Sequence, residues 1–197
     1  MKISGPNTLP AEHIALVGGI SNAWAHLEFQ VDRGIWTLLR TQHQLAACVT
    51  AQLSYVQPKI KSFTALVELH GGSKRTLDDI KAFNSDRISG LQEARNRSTH
   101  DPRMIDVATR TVQRFENTAK PKIKFGWFAE TMADLTKLHD NIYAVITDFN
   151  ALRDRAIAEL EALPPESLPQ LVSIVEMKTG PLGPTSGTST PETPHQA

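Results

Sequence analysis

The spacing of apolar residues in the first forty positions constrains the fold of this chain most strongly. Apolar side chains recur every three or four residues, at Ile20, Trp24, Leu27, Val31, Ile35 and Leu38. This period places the side chains on one face of a helix, and Pro10 followed by Ala11 is a typical helix start. The sequence therefore predicts a long helix from about residue 11 to Arg40 that buries one face.

Three further helices are expected after it. A second apolar segment precedes Pro58, which is expected to start a third helix that ends at His70-Gly71-Gly72, since glycine accepts the left-handed C-cap conformation. Ser73 is the predicted N-cap of a fourth helix. That helix should stop near Asp101, because a residue before proline is disfavoured in the helical region. Its predicted packed side comprises Leu77, Ile80, Asn84, Ile88, Leu91 and Arg95.

The second half of the chain changes period twice. Residues 107–115 are rich in β-branched side chains and 122–128 alternate polar with apolar, which together predict a β-hairpin within about 107–128. A final long helix is expected from about 129 to 162. The predicted fold is mainly α: a four- to five-helix bundle over residues 11–163 with one inserted hairpin. Residues 164–197 form a proline-rich tail without aromatic residues, predicted to be disordered from about residue 179.

Composition excludes several classes of function. With 21 basic and 21 acidic residues the formal net charge is zero, which excludes a nucleic-acid binder that acts by bulk charge. The single cysteine, Cys48, excludes a disulfide framework and a cysteine zinc site. The seven histidines lack metal-ligand spacing, so neither a metal nor a cofactor is expected. The sequence shows no apolar run of membrane-spanning length and no signal peptide, so we expect a cytoplasmic protein that does not enter membranes.

The neutral total conceals a local excess of positive charge. Residues 87–124 contain nine Lys or Arg residues and four Asp or Glu residues. Such a stretch is either a solvated face or a phosphate-binding surface. In the second case the predicted phosphate or RNA contacts are Arg97, Arg103, Lys122 and Lys124.

One short string carries the functional hypothesis: Glu-Ala-Arg-Asn-Arg-Ser-Thr-His-Asp-Pro, residues 93–102. Arg95 falls on the predicted packed side of the fourth helix, so its charge requires a partner. His100 lies in the last turn, and Asn96 is four residues before it on the same face. A fixed cation, a titratable ring and an amide at one helix end can hold a phosphodiester and move a proton.

The Arg95-Asn96-x-x-x-His100 string resembles the R-x(4–6)-H motif of HEPN domains. The long first helix together with this string is also similar to small bacterial helical proteins of HEPN type. The resemblance implies a helical bundle, commonly a homodimer, in which Arg95, Asn96 and His100 form the catalytic set of a metal-independent ribonuclease that leaves a cyclic phosphate. Other members of the family have no activity and bind partners instead.

Alternatives remain open at this point. The chain is an RNA-cutting enzyme, a non-catalytic module that binds a protein or nucleotide in a defence or toxin–antitoxin system, or a structural homodimer. In the last two cases Arg95 and Asn96 cap carbonyls or pair with an acid, and His100 and Asp101 simply end the helix. Glu28 is a further polar candidate near the first-helix tryptophan. Phe125 and Trp127 are expected to pack the hairpin onto the bundle, the alternative being that they stack on bases.

Overall fold

The computed structural model describes residues 3–4, 9–118 and 123–164 and is mainly helical. The helices are α1 (Ala11–Leu39), α2 (His43–Thr50), α3 (Val56–Leu69), α4 (Lys74–Ala82), a π-helical turn (Phe83–Ile88), α5 (Ser89–His100) and α6 (Met132–Glu161). The strands are β1 (Ile3–Ser4), β2 (Arg103–Asp106), β3 (Thr111–Thr118) and β4 (Lys124–Ala129). The predicted bundle with an inserted hairpin is confirmed. The predicted tail, apart from Pro164, lies outside the described residues.

The hydrophobic core forms between α1, α3 and α6. The fully buried side chains include Ile20, Leu27 and Val31 of α1, Ile60 and Phe63 of α3, and Ile142 and Phe149 of α6. The rings of Phe63 and Phe149 meet edge to face at 5.7 Å. A Cβ at Gly34 would lie 3.1 Å from the Phe63 ring, so glycine permits the close approach of α1 and α3.

The predicted helix boundaries are confirmed where a C-terminal glycine or an N-capping side chain defines them. Gly71 has a φ of 85° and Gly72 N donates to Val67 O at 2.9 Å, which closes α3 as expected. The Ser73 side chain accepts a hydrogen bond from Thr76 N and caps α4. Pro58, in contrast, does not start α3. It occupies the third helical position, still within the first turn, where its missing N–H breaks no hydrogen bond.

The predicted fourth helix is interrupted by the π turn, which changes its packed face. Phe83 is buried in the core and Asn84 is only half-buried, so the expectation that Asn84 belongs to the packed side is wrong. The next core residue is Ile88, five positions after Phe83. A π turn adds one residue between successive core contacts, and periodicity at 3.6 residues cannot anticipate it.

The hairpin belongs to a small antiparallel sheet with the order β1-β2-β3-β4. The pairing of β3 with β4 confirms the predicted hairpin, with Phe115 opposite Trp127. The prediction that pairing begins at residue 107 is wrong, because Val107–Arg110 form the turn between β2 and β3. Arg110 has a φ of 54° in this turn, a backbone conformation that strands do not adopt.

The aromatic residues of the hairpin contact one another. The Phe115 ring contacts Phe125 at 5.3 Å and Trp127 at 5.1 Å, forming a cluster within the sheet. Phe125 remains 72% exposed. The side chains that join the sheet to the helices are charged instead, as described below.

The described part of the chain contains no helix with both the length and the apolar character needed to cross a membrane.

Candidate functional site

The motif helix α5 ends at the position that the following proline dictates. His100 is its last residue, and Asp101 has an extended ψ of 136° directly before Pro102. The chain then enters β2 at Arg103. His100 is exposed at this helix end.

Arg95 is held by an aromatic ring and an amide rather than by an acid. Its guanidinium carbon lies 5.9 Å from the centre of the Trp24 ring. Its Nη1 donates to Asn96 Oδ1 at 3.1 Å, whereas its buried Nε has no hydrogen-bond partner among the described residues. No carboxylate of the described residues lies within ion-pair distance of Arg95. A half-buried guanidinium thus keeps unused capacity to bind an anion.

Arg95, Asn96 and His100 line one cavity of about 420 Å³. The remaining walls are Trp24, Glu28, Ser54, Tyr55 and Gln92. Glu28 accepts a hydrogen bond from Trp24 Nε1 at 3.0 Å, which holds its carboxylate on this side of α1. One chain therefore gathers a cation, an imidazole, an amide, a carboxylate and a phenol around a single space. We call it the Arg95 cavity.

The side chains of Arg95 and Asn96 do not cap the helix. They bond to each other, and the hydroxyl of Thr99 instead donates to the carbonyl oxygens of both residues, at 3.1 Å and 3.2 Å. The alternative in which the motif only caps carbonyls is therefore not what these side chains do.

The predicted phosphate-binding cations are engaged within the chain. Arg97 donates to Glu93 at 2.5 Å and to Glu116 at 3.3 Å, and Lys124 pairs with Glu116 at 3.5 Å. Arg103 donates two hydrogen bonds to the Glu130 carboxylate, at 2.6 Å and 3.0 Å. These charges are compensated inside the protein. Lys122 lies outside the described residues.

Glu116 is a buried acid that joins the sheet to the motif helix. Burial alone would raise its pKa, but the hydrogen bond from Arg114 and the charges of Arg114, Lys124 and Arg97 outweigh burial, so the pKa is lowered. Arg114 Nη2 donates to it at 2.6 Å. The pair of Glu116 with Arg97 therefore ties α5, three residues before His100, to β3.

A second charged contact between α5 and the sheet lies directly after His100. Asp101 Oδ2 faces Arg114 Nε at 3.7 Å, too far for a hydrogen bond. Burial raises the pKa of Asp101, and the opposing charges of Arg114, Arg97 and Arg103 do not cancel this effect. Charges from the sheet thus lie on both sides of the helix end that presents His100, and of the two contacts only that of Glu116 with Arg97 is a hydrogen bond.

Glu130 closes the network at the first helix. Its carboxylate also contacts His13 Nε2 at 2.9 Å and Arg114 Nη1 at 3.2 Å, and His13 is only 2% exposed. The sequence analysis missed both buried acids, Glu116 and Glu130. No local pattern distinguishes them from surface acids, since their partners are distant in sequence. Within the described ranges no group of three or more His, Cys, Asp or Glu side chains could hold a metal ion.

The chain was compared with protein-family models, curated proteins and solved structures, and none of them matches it.

Proposed function

We propose that the Arg95 cavity binds RNA and cleaves it without a metal, as the resemblance to the HEPN motif implies. One observation carries this proposal: a half-buried guanidinium without a carboxylate partner among the described residues lines the same cavity as an exposed imidazole. Arginine binds phosphate oxygens with two donors, and histidine exchanges protons near neutral pH. Structural arginines usually contact an acid, as Arg97 and Arg103 do here.

The proposed reaction is an internal transesterification of the RNA backbone. The 2′-oxygen forms a bond to phosphorus as the bond to the 5′-oxygen breaks, which leaves a 2′,3′-cyclic phosphate. A base takes the proton of the 2′-hydroxyl and an acid protonates the leaving oxygen. His100 performs one of these transfers, and Arg95 stabilises the charge that develops on the phosphoryl oxygens. Asn96 orients Arg95 through the hydrogen bond between them.

The cavity offers a second group for the other proton transfer. Glu28 and Tyr55 both line it, in addition to His100. Since these groups belong to one chain, the proposed chemistry does not require residues from a second copy. The homodimer that the resemblance implies stays a prediction, and mass measurement of the protein in solution tests it independently of activity.

The decisive experiment is RNA cleavage by the purified protein in the presence of EDTA. We expect wild type to cut single-stranded RNA and leave cyclic phosphate ends, and His100→Ala to lose at least about 100-fold in rate, the usual range for a general acid or base. His139→Ala is the matched control, because His139 also precedes an aspartate on a helix and lies outside this cavity.

Two outcomes would contradict the enzyme proposal. Equal loss of activity in His100→Ala and His139→Ala would place the chemistry elsewhere, and activity that EDTA abolishes would assign a metal. Binding of RNA or a nucleotide without any cleavage by wild type would favour the non-catalytic binding module instead. Growth of cells that express wild type or His100→Ala provides a second readout, since an active ribonuclease is expected to be toxic.

A further inference from the structure

The Arg95 cavity continues into a longer groove along the π turn and α5. A neighbouring cavity of about 430 Å³ shares Gln92, Asn96 and His100 with it. A third cavity, of about 530 Å³, shares Gln57 and Ser89 with the second. The three spaces run from His100 back to the π turn, about 24 Å along the helix axis at 1.5 Å per residue. We call this the amide groove.

Amide side chains line the groove along its length, and the oxygens of two of them lack a hydrogen-bond partner among the described residues. Gln57, Asn84, Gln92 and Asn96 all face it. The buried oxygens Asn84 Oδ1 and Gln92 Oε1 have no hydrogen-bond partner in the part of the chain that the structure describes. Buried amide oxygens are normally paired, so two in one groove indicate a ligand that donates hydrogen bonds.

The π turn is what brings Asn84 to this groove. It begins at the buried Phe83, and Asn84 follows half-buried beside Ser85, at the far end from His100. π turns inside α-helices occur frequently at functional sites. The π turn therefore contributes two polar side chains to the wall of the groove.

The charge of the groove is mixed and small. Lys61 and Lys81 line the end near the π turn together with Glu68, and Arg97 pairs with Glu93 in the middle. Arg95 at the other end has no such partner. A ligand with evenly spaced charges and hydrogen-bonding edges fits this arrangement better than one that binds by charge alone.

We propose that the amide groove binds a single-stranded RNA segment several nucleotides long that leads to the scissile phosphate at Arg95. Asn84, Gln92 and Gln57 contact base edges, since amides pair with the donor and acceptor pattern of bases. Lys61 and Lys81 contact a phosphate at the far end. The groove selects a single strand because, in a duplex, the base edges that its amides would contact are already hydrogen-bonded to the other strand. This inference rests on the proposed function for its choice of ligand.

The test measures binding separately from cleavage. The probes are fluorescent 2′-O-methyl RNA single strands of about two, four and eight nucleotides, lengths that bracket the small site sizes of single-strand binding grooves. They cannot form a cyclic phosphate, so the full-length wild-type protein can be used. We expect affinity to rise with length, a duplex of the same sequence to bind more weakly, and a slope of log affinity against log salt of about −1.4 for the two contacted phosphates.

Two variants locate the binding. Asn84→Ala and Lys81→Glu should each weaken the eight-nucleotide probe by at least about fivefold, the effect of losing one hydrogen bond, without changing the two-nucleotide probe. Lys74→Glu is the control, because Lys74 lies on α4 but outside the groove and pairs with Asp78. Equal affinity at all lengths, or equal effects of Lys81→Glu and Lys74→Glu, would overturn the proposal.

Failure of the groove proposal and failure of the ribonuclease proposal give different experimental results. Cleavage of short RNA that depends on His100, without any length-dependent binding, would retain the ribonuclease and remove the groove. Length-dependent binding that Asn84→Ala weakens, without cleavage by wild type, would retain the groove and remove the ribonuclease.

Discussion

Arg95 shows how a guanidinium is positioned inside a protein without an opposite charge. The Trp24 ring attracts the guanidinium, and Asn96 Oδ1 accepts a hydrogen bond from it. A cation–π contact of this kind contributes about 0.5–2 kcal/mol. Both contacts use the flat, forked shape of the guanidinium, and its residue lines the cavity.

Replacement by lysine tests that geometry. Arg95→Lys retains the charge but loses the fork, so we expect RNA cleavage to fall by about 100-fold or more, the usual cost of removing a donor to the transition state. Arg33→Lys on the exposed side of α1 is the control and should cleave like wild type. The measurement is the single-turnover rate in EDTA. A lysine variant with full activity would show that only charge is required.

Glu116 is one of two buried acids at which the charge network converges, the other being Glu130. It is buried and forms ion pairs with Arg97, Arg114 and Lys124. Glu116→Gln removes a carboxylate that Arg97 and Arg114 share, although they retain Glu93 and Glu130 as partners, and we expect a loss of about 1.5–3 kcal/mol in the free energy of unfolding, the usual value for a hydrogen bond to a charged group. Urea denaturation at neutral pH measures it.

The effect of Glu116→Gln should depend on pH in a defined direction. The folded state lowers the Glu116 pKa below 4.5, its unperturbed value, so the stabilisation is present above that value and is lost as pH falls through the lower folded value. The difference in stability between wild type and variant should therefore shrink at pH values below about 4. A constant difference down to that pH would contradict the assigned role.

A π turn separates α4 from α5, the helix that carries the motif. Ile80, Phe83 and Ile88 are the successive core contacts across it. The Phe83 ring packs 5.8 Å from Phe149 of α6. The burial of this ring against α6 anchors the first residue of the π turn.

Phe83→Ala measures that contribution. Phe83 is 8% exposed, and truncation of a buried phenylalanine costs about 3–5 kcal/mol. Phe125→Ala is the matched control, since Phe125 is 72% exposed and its loss should change stability by less than about 1 kcal/mol. Thermal and urea unfolding of both variants give the comparison. Similar losses in the two would mean that the hairpin cluster is as important as the core beneath the π turn.

The sheet and the bundle are joined as one unit through charged side chains. Glu130, at the end of β4, contacts His13 of α1 and Arg103 of β2. Glu116 of β3 contacts Arg97 of α5. Each contact links residues far apart in sequence, so the position of His100 depends on the complete fold rather than on α5 alone.

The segment beyond the bundle is predicted to contribute nothing to this unit. Its proline, glycine, serine and threonine composition from residue 179 onward cannot bury enough apolar surface to offset the entropy of ordering. A chain that ends at Met177 should melt at the same temperature as the full chain by calorimetry. A fall of several degrees would show that the tail binds to the bundle.

Local chemistry in the sequence was sufficient to predict the helices and the pairing of β3 with β4, but not β1, β2 or the π turn. The apolar period of α1, Ser73 at the start of α4, Gly71 after α3 and the proline that ends α5 each act on neighbouring residues. Helix caps, glycine conformations and proline restrictions operate over one turn, and so they can be recognised without a partner. The grouping of Arg95, Asn96 and His100 follows in the same way, because one turn and a half of helix connects them.

Only the tertiary structure decided what surrounds that group. Trp24 beside Arg95, Glu28 and Tyr55 in the cavity, and Glu116 beneath Arg97 come from α1, the segment before α3 and the sheet. The π turn likewise depends on the fit of Phe83 against α6. These arrangements arise from contacts between distant segments, where the free energy depends on the shape and charge that the packed elements present to each other. No local pattern encodes that shape, and for this reason the amide groove emerged only from the folded chain.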